Sequence, residues 1–168
     1  YTGTNDTFSV NMTSGNLSQI ANALQTTGGP LNISTVNIVE NSSNGLQLNG
    51  VNLANSTVTI NTTAGGIRDD NNQGTQIAST DLNLIAAGNI GAGGNGDIDT
   101  LVSGNLVTNT TVTNANTTFR DTGSPLSVNV STLNGTINGS WSTGNIRYQL
   151  DGSNVLNGTS TAVNVAVN

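Results

Sequence analysis

Residues 81–107 read DLNLIAAGNIGAGGNGDIDTLVSGNLV. An apolar run led by an aspartate is followed by Gly-Asn-Ile at 88–90, and the same order returns sixteen residues later with Gly-Asn-Leu at 104–106. Glycine and asparagine tolerate the positive φ angles of sharp turns. Short apolar runs bounded by such residues are typical of β-strands. The repetition therefore indicates an architecture of short strands and tight corners rather than a single chemical site.

The composition excludes several classes of protein. The 168 residues contain no Cys and no His; 7% are charged, 3% are aromatic and 33% are hydrophobic. Without Cys the chain is not a disulfide-stapled mini-domain. With so few large side chains, backbone pairing and small aliphatic residues must supply the stability. This composition predicts a long, thin core, and we expect no cofactor.

The charge pattern argues against two kinds of partner. The net charge is −6, and the three basic residues, Arg68, Arg120 and Arg147, are scattered along the chain. Binding to nucleic-acid phosphates requires a basic stripe or patch. A membrane-spanning helix requires roughly 18 or more consecutive apolar residues, and no such run occurs. We expect neither nucleic-acid binding nor a membrane span.

The hydrophobic pattern predicts a single β-rich domain over residues 1–168. Only one segment has helical spacing: apolar residues recur at Leu17, Ile20, Ala21 and Leu24, and Gly-Gly-Pro follows at 28–30. We predict a short capping helix over 14–27, with strands and turns over 31–168. The predicted strands are 8–12, 34–39, 46–48, 57–60, 81–85, 97–102, 106–112, 126–130, 146–150 and 161–167.

Two architectures accommodate many short strands with sharp turns. In a right-handed parallel β-helix, coils of roughly 20 residues stack about 4.8 Å apart around a column of aliphatic side chains. In an antiparallel β-sandwich, hairpins join the strands, and subunits can exchange terminal strands. The β-helix explains the spacing within residues 81–106, the thin core and the Asn-rich corners. The sandwich explains the Asn-Gly pairs after Asn129 better.

Residues 81–113 resemble the repeats of filamentous-haemagglutinin-type adhesins, the exoproteins of two-partner secretion. In that family a short strand followed by an Ala-Gly-Gly/Asn-aliphatic motif recurs through a right-handed parallel β-helix. Residues 14–38 also resemble the small helix that precedes the first coils of many bacterial surface β-helices. The family's secretion-domain signature is missing. The resemblance implies an extracellular location at the cell surface, a role in adhesion or matrix structure, and no catalysis.

Acidic residues supply the only candidates for chemistry. In GGNGDID (93–99), Asp97 and Asp99 nearly match a calcium-binding nonapeptide, but the register is one residue early and the motif occurs once. We keep the pair as a calcium candidate beside the expectation of no metal site. Asp69 and Asp70 form another carboxylate pair, the minimum equipment of a glycosidase. The chain has no His, Lys or Cys to act as a base or nucleophile near neutral pH, so we expect no enzyme.

Asn-X-Ser/Thr sequons are frequent enough to suggest N-glycosylation of an exposed, secreted surface. The bias of the composition toward Asn, Ser and Thr explains about half of them. The thirteen acceptors are Asn5, Asn11, Asn16, Asn32, Asn41, Asn55, Asn61, Asn109, Asn116, Asn129, Asn134, Asn138 and Asn157.

Alternating strands near both ends suggest contacts between subunits. An unpaired strand edge invites pairing with another chain, and few charges are available to prevent it. The candidate contact residues are Phe8, Val10, Met12, Val163, Val165 and Val167. We therefore expect a secreted structural protein: the building block of a cell-surface filament, or a rod segment of a large adhesin. The alternative is an adhesive module that binds glycans or host matrix.

Overall fold

The computed structural model describes residues 6–12, 33–48, 50–74, 77–92, 94–123, 127–133, 136–140, 145–151 and 155–159. Its regular structure within these ranges is almost entirely β. The strands are β1 (Asp6–Met12), β2 (Ile33–Glu40), β3 (Leu46–Gln47), β4 (Val51–Thr62), β5 (Ile67–Arg68), β6 (Ile77–Ala86), β7 (Ile98–Val102), β8 (Asn105–Thr113), β9 (Thr117–Asp121), β10 (Ser127–Leu133), β11 (Thr136–Ser140), β12 (Asn145–Asp151) and β13 (Val155–Thr159), with a 3₁₀ turn at Gly94–Gly96.

The strands form a parallel β-solenoid, consistent with a parallel β-helix. All strand pairings in the described ranges are parallel. Parallel partners need a long connection between them, and here each connection is the remainder of one coil. The prediction of an all-β fold with parallel strands stacked as in a β-helix is confirmed. The antiparallel sandwich is wrong for these residues, because hairpin neighbours would have to pair in opposite directions.

Each coil contributes to three pairing columns, which we call walls. The first wall contains β1, β2, the second half of β4, the second half of β6, β8, β10 and β12. The second wall contains β3 and β5 and continues through bridges at Ile90 and Thr117. The third wall contains the first parts of β4 and β6, then β7, β9, β11 and β13.

The core is a column of mostly aliphatic side chains to which all three walls contribute. In the first wall, alternate residues of the strands point inward, as the period of two requires. One inward column consists of Val36, Val58, Leu82, Leu106 and Val128, all direct register partners and all 0% exposed. Successive members are separated in sequence by one full coil. Burying such a side chain contributes about 1.5–3 kcal/mol relative to leaving it exposed.

Glycine residues allow the backbones of successive coils to approach closely at the corner between the first and second walls. Gly45 has a φ of 68°, and a Cβ on it would overlap the backbone of Gly66 in the next coil. A Cβ on Gly66 would in turn overlap the backbone of Asn89. The amide of Gly88 donates to the carbonyl of Gly65 at 2.9 Å. The coils approach so closely here that only a hydrogen fits where a side chain would be.

The sixteen-residue repeat joins two corners of one coil rather than two coils. Leu82 pairs with Leu106, which lies one whole coil further along the chain. Ile90 bridges to Ile67 and Thr117 in the second wall. Gly88 therefore ends a first-wall strand, whereas Gly104 precedes one. The interpretation of these motifs as architecture is correct, but the two copies are not equivalent rungs.

Most predicted strands have counterparts, with shifted ends. The sequence pattern does not predict β5, β9, β11 and β13, because these strands are short and carry few apolar residues. The predicted helix over 14–27 and the predicted strand over 161–167 lie outside the described residues. Within the described part of the chain, no helix has the length and apolar character needed to cross a bilayer.

Candidate functional site: an acidic corner bridged by Arg120

Two loops that leave the solenoid between the second and third walls carry many of the acidic residues in one place. One begins after β5 and the other after Ile90, so they belong to successive coils. Four of the nine acidic residues of the chain lie in or beside these loops. We call Asp69, Asp70, Asp97, Asp99 and the nearby Arg120 the acidic corner.

Arg120 holds the acidic corner together. It is the register partner of Asp99 in the third wall, and its Nε donates to Asp99 Oδ1 at 2.6 Å. The same Nε lies 3.7 Å from Asp97 Oδ2. Its Nη2 donates to the carbonyl oxygen of Gln73 at 2.6 Å, and Gln73 Nε2 donates to Asp97 Oδ1 at 3.3 Å. The hydrogen bond to Asp99 raises the pKa of Arg120. One guanidinium thus ties both loops to the wall.

Asp69 is the other buried carboxyl group of the corner. Its residue is 6% exposed, and its Oδ2 accepts from the backbone amide of Asn71 at 2.6 Å. Burial raises the pKa of Asp69 above its ordinary value, and the negative charges of Asp70 and Asp99 act in the same direction. The amide of Asn71 partly opposes this shift. Asp69 therefore favours the protonated form more than an exposed aspartate does.

Two buried oxygens of the corner lack hydrogen bonds from described residues: Asp69 Oδ1 and Asp99 Oδ2. Asp99 is 1% exposed. A buried carboxyl group with a raised pKa beside a second carboxylate is a feature of some acid–base catalysts. Here both groups are buried, so a sugar ring has no direct access to them. The geometry favours a structural role for this pair.

The calcium hypothesis for Asp97 and Asp99 competes with Arg120. Both carboxylates face the guanidinium, which already supplies the positive charge that a metal ion would bring. Among the residues that the structure describes, no three His, Cys, Asp or Glu side chains are grouped so that they could hold a metal ion. The calcium site stays a prediction, and any ion bound there would have to displace the arginine.

Asp121 is a buried carboxyl group that the sequence reasoning missed. It is 3% exposed and accepts from Thr100 Oγ1 at 2.6 Å, the amide of Val102 at 3.1 Å and the amide of Gly123 at 2.8 Å. Burial is the main reason that the pKa of Asp121 is raised, and these three donors oppose the shift. The carboxyl group ties the end of β9 to β7. Asp121 follows Asp99 by close to one coil length, and this spacing was the available signal.

The described sequon acceptors lie on strands and at corners. Asn11, Asn41, Asn55 and Asn116 are exposed, and Asn61, Asn109 and Asn129 are half-buried. Asn138 and Asn157 lie on β11 and β13. The acceptors outside the described residues are Asn5, Asn16, Asn32 and Asn134.

The proposed subunit-contact residues are described only at the N-terminal side. Phe8 and Val10 are half-buried and pack against the aliphatic core, and Met12 ends β1. Strand β1 comes first in the order of the large sheet, paired on one side with β2. Val163, Val165 and Val167 lie outside the described residues.

No protein family matches this chain, and no curated protein and no solved structure is detectably similar to it.

Proposed function

We propose that the chain is a non-catalytic structural segment of an extracellular, cell-surface protein, either a rod of a large adhesin or a filament subunit. The observation that carries the proposal is the first wall itself, where seven described strands from β1 to β12 pair in parallel, each with the strand of the next coil. In a solenoid each coil contacts only its neighbours, so the fold grows along one axis and forms a stiff rod.

The chemistry of the corners supports a mechanical role. The carboxyl groups of Asp99 and Asp121 are buried and bonded to groups in neighbouring coils. Asp81, which is half-buried, also joins two coils at a first-wall corner, where its Oδ1 accepts from the amide of Asn105 at 2.8 Å and from Asn105 Nδ2 at 3.0 Å. The polar groups of these three residues join coils rather than present a cleft. The resemblance of residues 81–113 to filamentous-haemagglutinin-type repeats agrees with this proposal.

Right-handed coiling is part of the proposal. Connections between parallel strands of one sheet are right-handed in about 98% of cases, because of the twist of the strands. Cell-surface exposure suits a chain whose wettable surface is made of amides and hydroxyl groups rather than charges, with 7% charged residues.

If the chain is a filament subunit, its copies must associate, and we propose that they do so through strand edges. The β1 edge opposite β2 has no strand partner among the described residues. An exposed parallel edge can accept a strand of a second copy by backbone hydrogen bonding. The inward residue Val10 would then be covered by the added rung.

Small-angle scattering and electron microscopy of the purified chain test the rod. We expect a β-rich circular dichroism spectrum and an elongated particle, lengthening with concentration if the ends join. A compact globule would refute the rod. For end joining, the variant Val10→Lys should abolish lengthening, whereas Ser9→Lys, an exposed neighbour with the same added charge, should not. Equal lengthening of both variants would refute joining through β1.

The outward face of the first wall favours the binding module as a second candidate. Thr57 Oγ1 donates to Asp81 Oδ2 at 3.2 Å, and Asn83 Nδ2 donates to Thr59 Oγ1 at 3.3 Å. These cross-rung bonds order polar groups that can exchange hydrogen bonds with hydroxyl-rich ligands such as glycans. Glycan-array binding that is lost in Thr59→Val and Asn83→Leu, by a chain that stays monomeric, would favour this candidate over the filament.

A further inference from the structure

One column on the outward face of the first wall alternates between sequon asparagines and β-branched residues. Its first five rungs carry Asn11, Val39, Asn61, Ile85 and Asn109, each the direct register partner of the next, and the two rungs that follow carry Ser131 and Gln149. Of the first five residues, Asn11 is exposed, and the other four are half-buried on the outer surface. We call these five residues the sequon column. The three asparagines are separated in sequence by whole coils, so the alternation is a product of the fold.

The two inner sequons share one geometry. Each asparagine begins an Asn-Thr-Thr triplet whose middle threonine points inward and is buried, while the last threonine is exposed. The hydroxyl of Thr63 donates to the carbonyl of Glu40 at 3.4 Å, and that of Thr111 donates to the carbonyl of Ala86 at 3.3 Å. In both triplets the acceptor carbonyl belongs to the preceding rung. The acceptor asparagine and its threonine therefore stand in the same relation to the wall at both sites.

The spacing suits a row of bulky substituents. Neighbouring rungs are about 4.8 Å apart, which is too close for sugars on adjacent rungs of one column. Asparagines on alternate rungs are about 9.6 Å apart by the same spacing, which leaves room for a sugar ring on each. Val39 and Ile85 occupy the intervening rungs and offer apolar surface to the C–H face of a ring. A purely compositional excess of Asn has no reason to skip every second rung.

We propose that the sequon column is an N-glycosylation stripe, in which Asn11, Asn61 and Asn109 each carry a sugar. The donor class is a sugar activated by a phosphate linkage at its anomeric carbon. The asparagine Nδ2 attacks that carbon, a C–N bond forms, the C–O bond to phosphate breaks, and phosphate leaves with the electron pair. The Nδ2 group loses one proton to solvent or to a base of the transferase. The stripe rests on the proposed function, because it requires the extracellular setting.

The consequence is a rod with one sugared wall. Sugars at two-rung intervals would cover the outward face of the first wall and keep it hydrated where charge is scarce. The acidic corner lies at the junction of the second and third walls and stays bare. Lateral contact between rods would then be confined to those walls.

Glycopeptide mass spectrometry of the chain recovered from cells that secrete it naturally tests the stripe. We expect sugar on Asn61 and Asn109, with Asn11 modified as well. The variants Thr63→Val and Thr111→Val, which keep the size of the side chain but destroy the sequon, should each remove one site. Thr113→Val is the matched control, because Thr113 is an exposed threonine of β8 that lies outside any sequon. Unmodified Asn61 and Asn109 would overturn the proposal.

A second variant tests the spacing itself. The double substitution Ile85→Asn with Ala87→Thr creates a sequon on the intervening rung. We expect the new site to exclude simultaneous modification of both neighbours, seen as no increase in sugars per chain. Full occupancy of three consecutive rungs would overturn the spacing argument. Electron microscopy and glycopeptide mass spectrometry together separate the two proposals. A rod without sugar on Asn61 and Asn109 refutes the stripe alone, whereas a globule with sugar on both refutes the rod alone.

Discussion

Arg120 Nε lies 2.6 Å from Asp99 Oδ1, and the two residues face each other directly in neighbouring rungs of the third wall. Twenty-one positions of sequence separate them, which is one coil. Asp99 is almost completely buried, whereas the Arg120 side chain is 32% exposed. The positive charge of Arg120 therefore compensates the negative charge of the Asp99 carboxylate, which stays buried in the third wall.

Arg120→Met should destabilise the fold clearly. It leaves Asp99 buried without its partner, and loss of one partner of a fully buried pair costs roughly 3–5 kcal/mol. Because 32% of the Arg120 side chain is exposed, we expect about 2–3 kcal/mol, since water weakens the pair. Urea unfolding measures the change. Arg68→Met is the control, because Arg68 is exposed, and equal losses in both variants would contradict the prediction.

Asp69→Asn should stabilise the protein at pH 7 and lose that advantage in acid. The pKa of Asp69 is raised in the folded state above 3.8, so the folded protein binds this proton more tightly than the unfolded chain does. The cost of ionising Asp69 is absent below pH 3.8 and grows as pH rises through the raised folded pKa. The melting temperature of the variant relative to that of the wild type should rise between pH 4 and pH 7.

Asp81→Asn serves as the comparison for this titration, since Asp81 is half-buried and lies in the first wall, away from Asp69. If Asp69→Asn is less stable than the wild type at pH 7, or if both variants show the same pH profile, ionisation of Asp69 is not the cause. The same sign applies to Asp121, whose pKa is also raised by burial. The solenoid should therefore tolerate mild acid well.

Asp121→Ala should lower the free energy of unfolding by about 2–3 kcal/mol. The change removes the acceptor for Thr100 Oγ1, which is completely buried, and for the amides of Val102 and Gly123. Each buried donor left unpaired costs roughly 1–3 kcal/mol, and water can reach some of them once the side chain is shortened. Thr122→Ala, at an exposed neighbour, should change stability by much less. Comparable thermal shifts for the two would argue against the role of Asp121.

Leu82→Ala should be among the most damaging core changes, at about 2–5 kcal/mol. Leu82 is 0% exposed and stacks between Val58 and Leu106, so the cavity would open in the middle of the column. Leu101→Ala is the matched control because Leu101 is 45% exposed, and we expect a change within about 0.5 kcal/mol. Chemical denaturation of both variants checks the ranking. A loss of stability of similar size in Leu101→Ala would show that burial of the leucine does not determine the size of the loss.

Gly66→Ala should destabilise the solenoid by about 1–3 kcal/mol through overpacking. The added methyl would collide with the backbone of Asn89 in the next coil, which cannot move without disturbing the corner. At Gly74 a Cβ would meet only the Asn72 side chain, at 3.8 Å. Gly74→Ala should therefore be nearly neutral in thermal melts. An equal loss at both glycines would point to backbone entropy rather than to close coil contact.

The sequence predicted the first wall better than the other two. Strands β2, β6 and β8 are 8 to 10 residues long and alternate between apolar and polar side chains, so their period is visible locally. Strand β5 has two residues and β11 reads TINGS. Such segments pair because the first wall already aligns the coils, and their own composition does not favour a strand.

The acidic corner was only partly predictable. The sequence indicates Asp97 and Asp99 as a pair because GGNGDID nearly matches a calcium-binding nonapeptide, and Asp69 and Asp70 as a pair because they are adjacent. Their common partner Arg120 and the proximity of Asp69 to Asp99 depend on which loop lies above which. That in turn depends on the coil lengths, which differ from one coil to the next because the loops differ in size. No local pattern states these lengths in advance.

Local preferences are enough to establish that this chain consists of short extended segments with glycine and asparagine corners, because φ and ψ preferences and the period of two act within a few residues. Which segments lie on one another follows only from the folded solenoid, and so do the arginine–aspartate pair and the sequon column. The physical reason is that contacts between coils join residues a whole coil apart in sequence, and stacking of the entire aliphatic column selects their register.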